Sequence, residues 1–155
     1  HVIGTKRSVS KPIEYVDELV PMDRFHETLS WADYVVNALP YTAETYHLFD
    51  AAAFAACKAG SYFVNVGRGK TVDEQALIEV LESKYLAGAG LDVFEDKHLG
   101  SESPLWQMPN VLVTAHWAGF TPEYTRRAGD IFCDNLIRFR QGQPLQKVVD
   151  KRLGY

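Results

Sequence analysis

The sequence is poor in cysteine, in runs of one charge sign and in long apolar runs. Its only two cysteines, Cys57 and Cys133, lack the spacing of metal ligands, so free thiols and no metal site are expected. The net charge is -4 and no dense basic segment occurs, which argues against a nucleic-acid partner. The longest apolar run, residues 51 to 57, is too short to cross a bilayer, and no signal peptide is expected. A cytoplasmic protein without a membrane partner is therefore expected.

Predicted strands and helices alternate along the 155 residues. This order predicts an α/β fold with a parallel sheet and helices on both faces. Residues 9–21 carry Pro12 and Pro21 and are expected to be irregular, with a possible short strand at Tyr15–Val16, and a loop is expected from Glu95 to Pro109. The predicted strands are residues 1–5, 34–39, 62–66, 88–94 and 111–115, and the predicted helices are 23–32, 51–58, 74–83 and 122–141, the last with Thr121 as N-cap and Pro122 in its first turn.

The stretch from Tyr62 to Asp73 has the strongest local pattern. An apolar run stops at Gly67-Arg68-Gly69, and Asp73 then precedes a helical pattern as an N-cap would. The two glycines are expected to adopt backbone angles that other residues resist. Arg68 is thus held where a strand ends, which is where open α/β sheets bind ligands. A plainer alternative is that Arg68 is a surface turn residue in an ion pair.

Polar side chains also follow two later strands. Asp92 comes at the end of the predicted strand 88–94, and His116 comes directly after the strand 111–115. Parallel strands present their carboxyl ends on one side, so Arg68, Asp92 and His116 are expected to meet in one cleft. Taken singly, His116 could be a structural histidine and Asp92 a capping carboxylate.

Three blocks of sequence carry a family resemblance: Asn65-Val-Gly-Arg-Gly, Ala87-Gly-Ala-Gly-Leu-Asp-Val-Phe-Glu and Asn110-Val-Leu-Val-Thr-Ala-His-Trp-Ala-Gly. In their order and spacing they resemble the nucleotide-binding domain of the D-isomer-specific 2-hydroxyacid dehydrogenases. The loop at residues 38–45 is similar to that family's loop, and residues 148–155 resemble its glyoxylate and hydroxypyruvate reductase branch. The resemblance implies a Rossmann-like doubly wound parallel sheet.

The resemblance also implies roles for individual residues. Arg68 would clamp the carboxylate and carbonyl of a 2-oxo acid, since a guanidinium is forked and always charged. His116 would give a proton to the carbonyl oxygen, because an imidazole exchanges protons near neutral pH. Asp92 would accept from the nicotinamide carboxamide of NAD or NADP. The other cofactor-binding residues implied are Leu39, Pro40, Thr45, Val66, Ala118 and Gly119.

The chain departs from the family pattern upstream. The first strand and the glycine-rich turn of the family are not found, and we expect the resulting gap in the sheet between the strand at His1 and the strand at residues 62–66. Residues 1–142 are then a partial dinucleotide-binding domain, and residues 143–155 an extended tail that would return to a substrate domain. We therefore expect a fragment that is inactive by itself, with unpaired strand edges that favour a homodimer or other self-association.

A second departure concerns the cofactor. Where the family often has an acidic residue that binds the adenine ribose, this sequence has Thr5-Lys6-Arg7-Ser8. Two cations and a hydroxyl suit a 2′-phosphate, so Lys6, Arg7 and Ser8 favour NADP over NAD. The alternative is that both cations are solvated surface charges.

A third departure lies beside the predicted proton donor. Counted from Asp92, the family's glutamate that pairs with the histidine is replaced by Lys97. A lysine would disfavour the protonated imidazole of His116 and so weaken reduction at neutral pH. Alternatively, the loop shifts so that Glu95 or Asp96 reaches His116 instead.

These residues leave more than one function open. The leading hypothesis is the cofactor-binding half of an oxidoreductase that transfers hydride between NAD(P)H and a small 2-oxo or 2-hydroxy acid. A non-catalytic nucleotide sensor or scaffold on the same fold would explain Lys97, and an inactive fragment would explain the departure upstream. The fold alone does not choose among them.

Overall fold

The structure is a computed structural model that describes residues 1–7 and 12–152. Strands and helices alternate along most of the chain, as the sequence predicts. The strands are β1 (Ile3–Lys6), β2 (Glu18–Pro21), β3 (Tyr34–Asn37), β4 (Tyr62–Asn65), β5 (Gly88–Leu91) and β6 (Val111–Val113). The α-helices are α1 (Phe25–Trp31), α2 (Ala51–Ala56), α3 (Glu74–Glu82) and α4 (Tyr124–Arg140).

All strand pairs are parallel, which confirms the predicted α/β class. Strands β3, β4, β5 and β6 form one sheet in that order, and β1 and β2 form a separate pair. Helix α2 connects β3 to β4 and α3 connects β4 to β5, whereas β5 and β6 are joined by a loop with one short 3-10 turn, Pro104–Trp106. None of the described helices combines the length and apolar character needed to cross a membrane.

The core lies between the larger sheet and helices α1, α2 and α3. Phe63 of β4 is fully buried, and its ring centroid lies 5.0 Å from that of Phe49 and 5.3 Å from that of Phe54. Full burial of such a side chain stabilises the fold by roughly 1.5–3 kcal/mol. Asp73 accepts the backbone N–H of Ala76, which confirms the predicted N-cap, and Asp50 caps α2 in the same way by accepting from Ala53.

The gap in the sheet is present, but the predicted neighbour was wrong. Its borders are β1 and β3, not β1 and β4, because β3 pairs with β4 along one edge and turns its other edge towards β1. A cleft of about 920 Å³ lies there and is lined by residues such as Ile3, Phe25 and Val35. Two parallel strand edges therefore face each other across it.

Two short predictions were also wrong. The strand beside β1 is Glu18–Pro21, because Tyr15 has a φ of 65° and lies in a turn that precedes it. Helix α4 begins at Tyr124 behind Glu123, which makes no side-chain cap, so Thr121–Pro122 are not its N-cap and first turn. The backbone N–H of Tyr124 instead donates to the carbonyl of Thr121.

Helix α4 carries apolar side chains as a stripe along one face, but no residue of this helix is buried. Phe132 is 68% exposed and Phe139 is 73% exposed. The helix ends as expected before Gly142, which has a φ of 66°. The tail that follows is held against α4, since the side-chain amide of Asn135 exchanges two hydrogen bonds with the backbone of Gln146.

Candidate functional site

Three neighbouring strands end together at one edge of the larger sheet. Asn65 of β4 is in register with Leu91 of β5, and Leu91 is in register with Val113 of β6. The segments that carry Arg68, Asp92 and His116 follow these strand ends. The parallel register therefore brings all three segments to the same edge, as the sequence predicts.

The corner around Arg68 is packed too tightly for side chains on either side of it. A Cβ at Gly67 would lie 2.7 Å from the carbonyl oxygen of Leu39, and one at Gly69 would lie 1.5 Å from that of Phe94. Neither glycine has a positive φ, so the predicted reason for them was wrong. They are required by close backbone approach, which fixes Arg68 between the loops that follow β3 and β5.

The side chain of Arg68 is exposed. Its Nη1 donates to the carbonyl of Gly67 at 2.8 Å, and its own carbonyl accepts from the hydroxyl of Thr71 at 2.6 Å. Within the described part of the chain, no carboxylate pairs with this guanidinium, so the ion-pair alternative finds no support there. Several of its donors therefore remain available to a bound carboxylate.

A buried amide pair that the motif analysis did not single out supports this corner. Asn37 Nδ2 donates to Asn65 Oδ1 at 3.1 Å and to the hydroxyl of Thr71 at 2.6 Å. Asn65 Oδ1 also accepts from the backbone of Gly67, and Asn37 Oδ1 from that of Leu39. The sequence does carry a signal for this pair, because β3 and β4 both end in Val-Asn. A polar residue at the end of an apolar run is unusual for a buried strand.

Asp92 organises the loop that carries His116. This carboxylate is 4% exposed and accepts from the hydroxyl of Thr114, the backbone of Trp117 and the backbone of Ala118, at 2.5, 2.7 and 2.9 Å. Burial alone would raise the pKa of Asp92, but these hydrogen bonds, together with nearby His116, outweigh it and hold the pKa below its usual range. Asp92 is therefore ionised at neutral pH.

The accepting capacity of Asp92 is not exhausted. An ionised carboxylate offers about four lone-pair positions, and the described contacts use three of them. Oδ2 accepts only from Ala118, so one position remains for a further donor such as an amide. Gly119, which comes next, has open space where a Cβ would lie.

His116 is exposed and has a φ of 59°, a left-handed conformation that is uncommon outside glycine. Residues on both sides of it are held by Asp92, which accounts for the conformation. Among residues 1–7 and 12–152, no side chain hydrogen-bonds to the His116 ring. A residue held in a sparsely populated conformation beside the carboxyl ends of parallel strands is a candidate for function.

The loop after β3 is held by its own side chains. Thr45 Oγ1 donates to the carbonyl of Pro40 at 2.7 Å and accepts from the backbone N–H of Thr42 at 2.8 Å. Leu39 is fixed by the buried amide pair, and Val66 donates its backbone N–H to the carbonyl of Asn37. The predicted cofactor-binding residues Leu39, Pro40, Thr45 and Val66 thus lie around the ends of two neighbouring strands.

The predicted phosphate-binding cations follow β1. Lys6 ends that strand and is exposed, and Arg7 Nη1 lies 3.1 Å from Glu44 Oε2 in the loop after β3. This ion pair joins the ends of β1 and β3 across the cleft. Ser8 lies outside the described residues.

Lys97 and its neighbours do not lie as the shifted-loop alternative requires. Glu95 contacts His47 rather than His116, while Asp96 and Lys97 are exposed. No ion pair of the described residues involves Lys97. The replacement of a carboxylate by Lys97 beside the His116 loop therefore stays a prediction.

A family model matches residues 1–118, namely the NAD-binding domain of the D-isomer specific 2-hydroxyacid dehydrogenases. The chain is 43% identical over 125 residues to glyoxylate/hydroxypyruvate reductase B of Citrobacter koseri, and 46% identical over the same length to that of Escherichia fergusonii. Each alignment covers 81% of this chain. The chain spans about 39% of the length of these curated relatives.

Solved structures give the same comparison in three dimensions. A D-isomer specific 2-hydroxyacid dehydrogenase from Xanthobacter autotrophicus, in complex with NADPH and MES, superimposes with a TM-score of 0.90 at 40% identity, covering 99% of this chain and 62% of that one. An NADPH-dependent glyoxylate/hydroxypyruvate reductase from Sinorhizobium meliloti, in complex with NADP and sulfate, gives 0.89 at 39% identity, covering 99% and 49%.

Proposed function

The chain belongs to the D-isomer-specific 2-hydroxyacid dehydrogenase family, of which it carries the NAD-binding domain, and we propose that the whole protein reduces small 2-oxo acids with NADPH. The observation that carries this proposal is the convergence of the Arg68, Asp92 and His116 segments at one sheet edge. Relatives named glyoxylate/hydroxypyruvate reductase make a 2-oxo acid of two or three carbons the first substrate class to test.

Arg68 binds and orients the 2-oxo acid in this proposal. Its corner is fixed by close packing at Gly67 and Gly69, and no described carboxylate competes for its guanidinium. A forked cation can hold a carboxylate through two parallel hydrogen bonds. Orientation of the carbonyl carbon in this way supplies much of the rate enhancement expected for transfer between two bound reactants.

His116 holds and moves the proton. In reduction, a protonated ring nitrogen gives its proton to the carbonyl oxygen of the 2-oxo acid, and in oxidation the neutral ring takes the proton back. The hydrogen bonds to Asp92 hold the backbone of the loop that carries His116 at this edge of the sheet. Asp92 thus acts on His116 through position as well as through charge.

The chain's own residues fit a nicotinamide cofactor, which supplies the hydride when bound. The remaining lone pair on Asp92 Oδ2 can accept an amide N–H, as the carboxamide offers. Leu39, Pro40, Thr45, Val66, Ala118 and Gly119 lie on the loops that follow β3, β4 and β6 and are proposed to hold the rest of the molecule. Lys6, Arg7 and Ser8 are proposed to bind the 2′-phosphate.

A second candidate function is favoured by Lys97. In the family, a carboxylate pairs with the proton-donating histidine. A protein that binds the cofactor without turnover would tolerate a lysine at that position. The exposed positions of Lys97 and Asp96, and the engagement of Glu95 by His47, support this candidate. We also propose a cytoplasmic location. Self-association is proposed as well, and the open strand edges and the exposed stripe of α4 support it.

The test uses the protein expressed from its complete gene. Loss of absorbance of NADPH is followed with glyoxylate, hydroxypyruvate and a set of longer 2-oxo acids, with NADH as the matched cofactor. We expect turnover with the smallest acids and a preference for NADPH. Tight binding of NADPH with no turnover of any acid would support the sensor instead, and the absence of binding to either cofactor would overturn both.

A further inference from the structure

A second histidine with left-handed backbone lies outside the proposed catalytic group. His47 has a φ of 48°, and its Nε2 lies 2.5 Å from Oε1 of Glu95. The two side chains are 28% and 32% exposed, so the pair is mostly shielded from water. Both side chains are less than one-third exposed, and the left-handed backbone of His47 presents its ring to Glu95.

Glu95 is itself fixed by a reciprocal pair of hydrogen bonds. Its Oε2 accepts from the backbone N–H of Glu74 at 3.3 Å, and Glu74 Oε2 accepts from the backbone N–H of Glu95 at 3.2 Å. Glu74 is the first residue of α3. Glu95 is thus anchored to a helix before it meets His47, and it provides a rigid partner for the loop after β3.

His47 connects Glu95 to other residues of the loop after β3. Its ring stacks on Tyr46 with centroids 4.0 Å apart, and Tyr46 meets the edge of Tyr41 at 6.3 Å. Tyr41 follows Pro40, and Tyr46 follows Thr45, so the rings border both proposed cofactor-binding residues. The backbone N–H of His47 also donates to the carbonyl of Lys70, close to the Arg68 corner.

We propose that His47 is a positioning residue that, through its pair with Glu95, holds residues 39–46 in the conformation that binds the nicotinamide cofactor. The inference rests on the proposed function, because it assigns the loop a role in cofactor binding. Glu95 and Asp92, which both follow β5, then each hold a different loop. Asp92 fixes the loop of His116, and Glu95 fixes the loop on the opposite side of Arg68.

The variants separate the side-chain pair from the backbone conformation. His47→Asn keeps a residue that tolerates left-handed angles but is too short to reach Glu95. Glu95→Gln keeps the shape of the carboxylate and removes its charge, and it keeps the inference testable if His47→Asn fails to fold. His26→Asn, on the exposed side of α1, is the matched control.

The measurement is the Kd for NADPH, by fluorescence titration of the protein expressed from its complete gene. We expect each single variant to bind about tenfold more weakly, and the double variant to be little worse than either, because both remove one coupled interaction. The KM for the 2-oxo acid and the control should be unchanged. Wild-type affinity in His47→Asn and Glu95→Gln, or a lower Tm with unchanged affinity, would overturn the inference.

A second readout keeps this result separate from the proposed function. If the wild-type protein binds neither NADPH nor NADH, the proposed function fails. Amide hydrogen exchange of residues 39–48 then still tests the anchorage. Faster exchange of these amides in His47→Asn than in the wild type, with His26→Asn unchanged, supports the anchorage. Equal exchange in His47→Asn and His26→Asn contradicts the anchorage.

Discussion

At the scale of single residues, Asp92 has the best-defined environment in the site. Its three donors favour the ionised form, so its pKa in the folded protein lies below the value of about 3.9 for an unfolded chain. A carboxylate with a lowered pKa contributes stability that is present above the unfolded pKa. That contribution is lost as the pH falls through the folded pKa.

We therefore expect Asp92→Asn to lower the free energy of unfolding at pH 7 by about 1–3 kcal/mol, since it leaves buried donors without a charged acceptor. The difference from the wild type should shrink as the pH falls from about 5 towards 2. Chemical denaturation across this range is the measurement. A difference that stays constant with pH would show that the charge of Asp92 does not stabilise the fold.

Arg7 is proposed to set the preference for NADPH over NADH. Arg7→Ala should weaken NADPH and leave NADH nearly unchanged, with a loss of discrimination of about tenfold or more, because a charge-assisted hydrogen bond is typically worth about 1.5–3 kcal/mol. Glu44→Gln is the matched variant, since it removes the carboxylate that pairs with Arg7. It should strengthen NADPH selectively. Equal effects of Arg7→Ala on both cofactors would show that Arg7 does not read the 2′-phosphate.

Lys97 is predicted to stand where the family has a carboxylate beside the proton donor, and the two charges act in opposite directions on a nearby imidazole. Reduction needs a donor that carries a proton. In Lys97→Glu, the limb of the pH–rate profile governed by His116 should move to higher pH, and reduction at neutral pH should rise. Lys151→Glu, in the exposed tail, controls for overall charge. An unchanged profile would place Lys97 away from the histidine.

At the scale of elements, apolar runs and caps predicted most of the strands and helices. The caps Asp50 and Asp73 and the strand ends at Arg68 and Asp92 were predictable, because each depends on a few neighbouring residues. The position of β2 was not, since Glu18–Pro21 becomes a strand only by pairing with β1. Nor was the His47–Glu95 pair, whose partners are 48 residues apart in sequence.

Helix α4 carries the clearest element-scale prediction. Its exposed Phe132 and Phe139 should bury against a second copy of the chain, so light scattering should report a mass above the monomer that depends on concentration. The double variant Phe132→Ser/Phe139→Ser should shift the mass towards the monomer. Arg127→Ser is the control on the same helix. A compact monomer with a cooperative melt in the wild-type chain would contradict this prediction.

At the scale of the whole molecule, the parallel sheet and its convergent strand ends were predictable, but the arrangement around the cleft was not. The order of strands in space, which puts β3 beside the gap, is set by the crossover connections and not by any local pattern. The open face of the larger sheet, where the rings of Tyr34 and Tyr62 stack with centroids 5.4 Å apart, was likewise not predictable from a local pattern. The prediction of domains at residues 1–142 and 143–155 stays a prediction.

In the proposed reaction Arg68 binds the 2-oxo acid while His116 transfers the proton, both at one edge of the sheet. Steady-state kinetics of NADPH oxidation by Arg68→Lys and His116→Gln, in the protein expressed from its complete gene, test it most directly. We predict that Arg68→Lys mainly raises the KM for the 2-oxo acid, that His116→Gln mainly lowers kcat, by about 100-fold or more, and that neither changes the Kd for NADPH. Wild-type kcat and KM in both variants would contradict the claim.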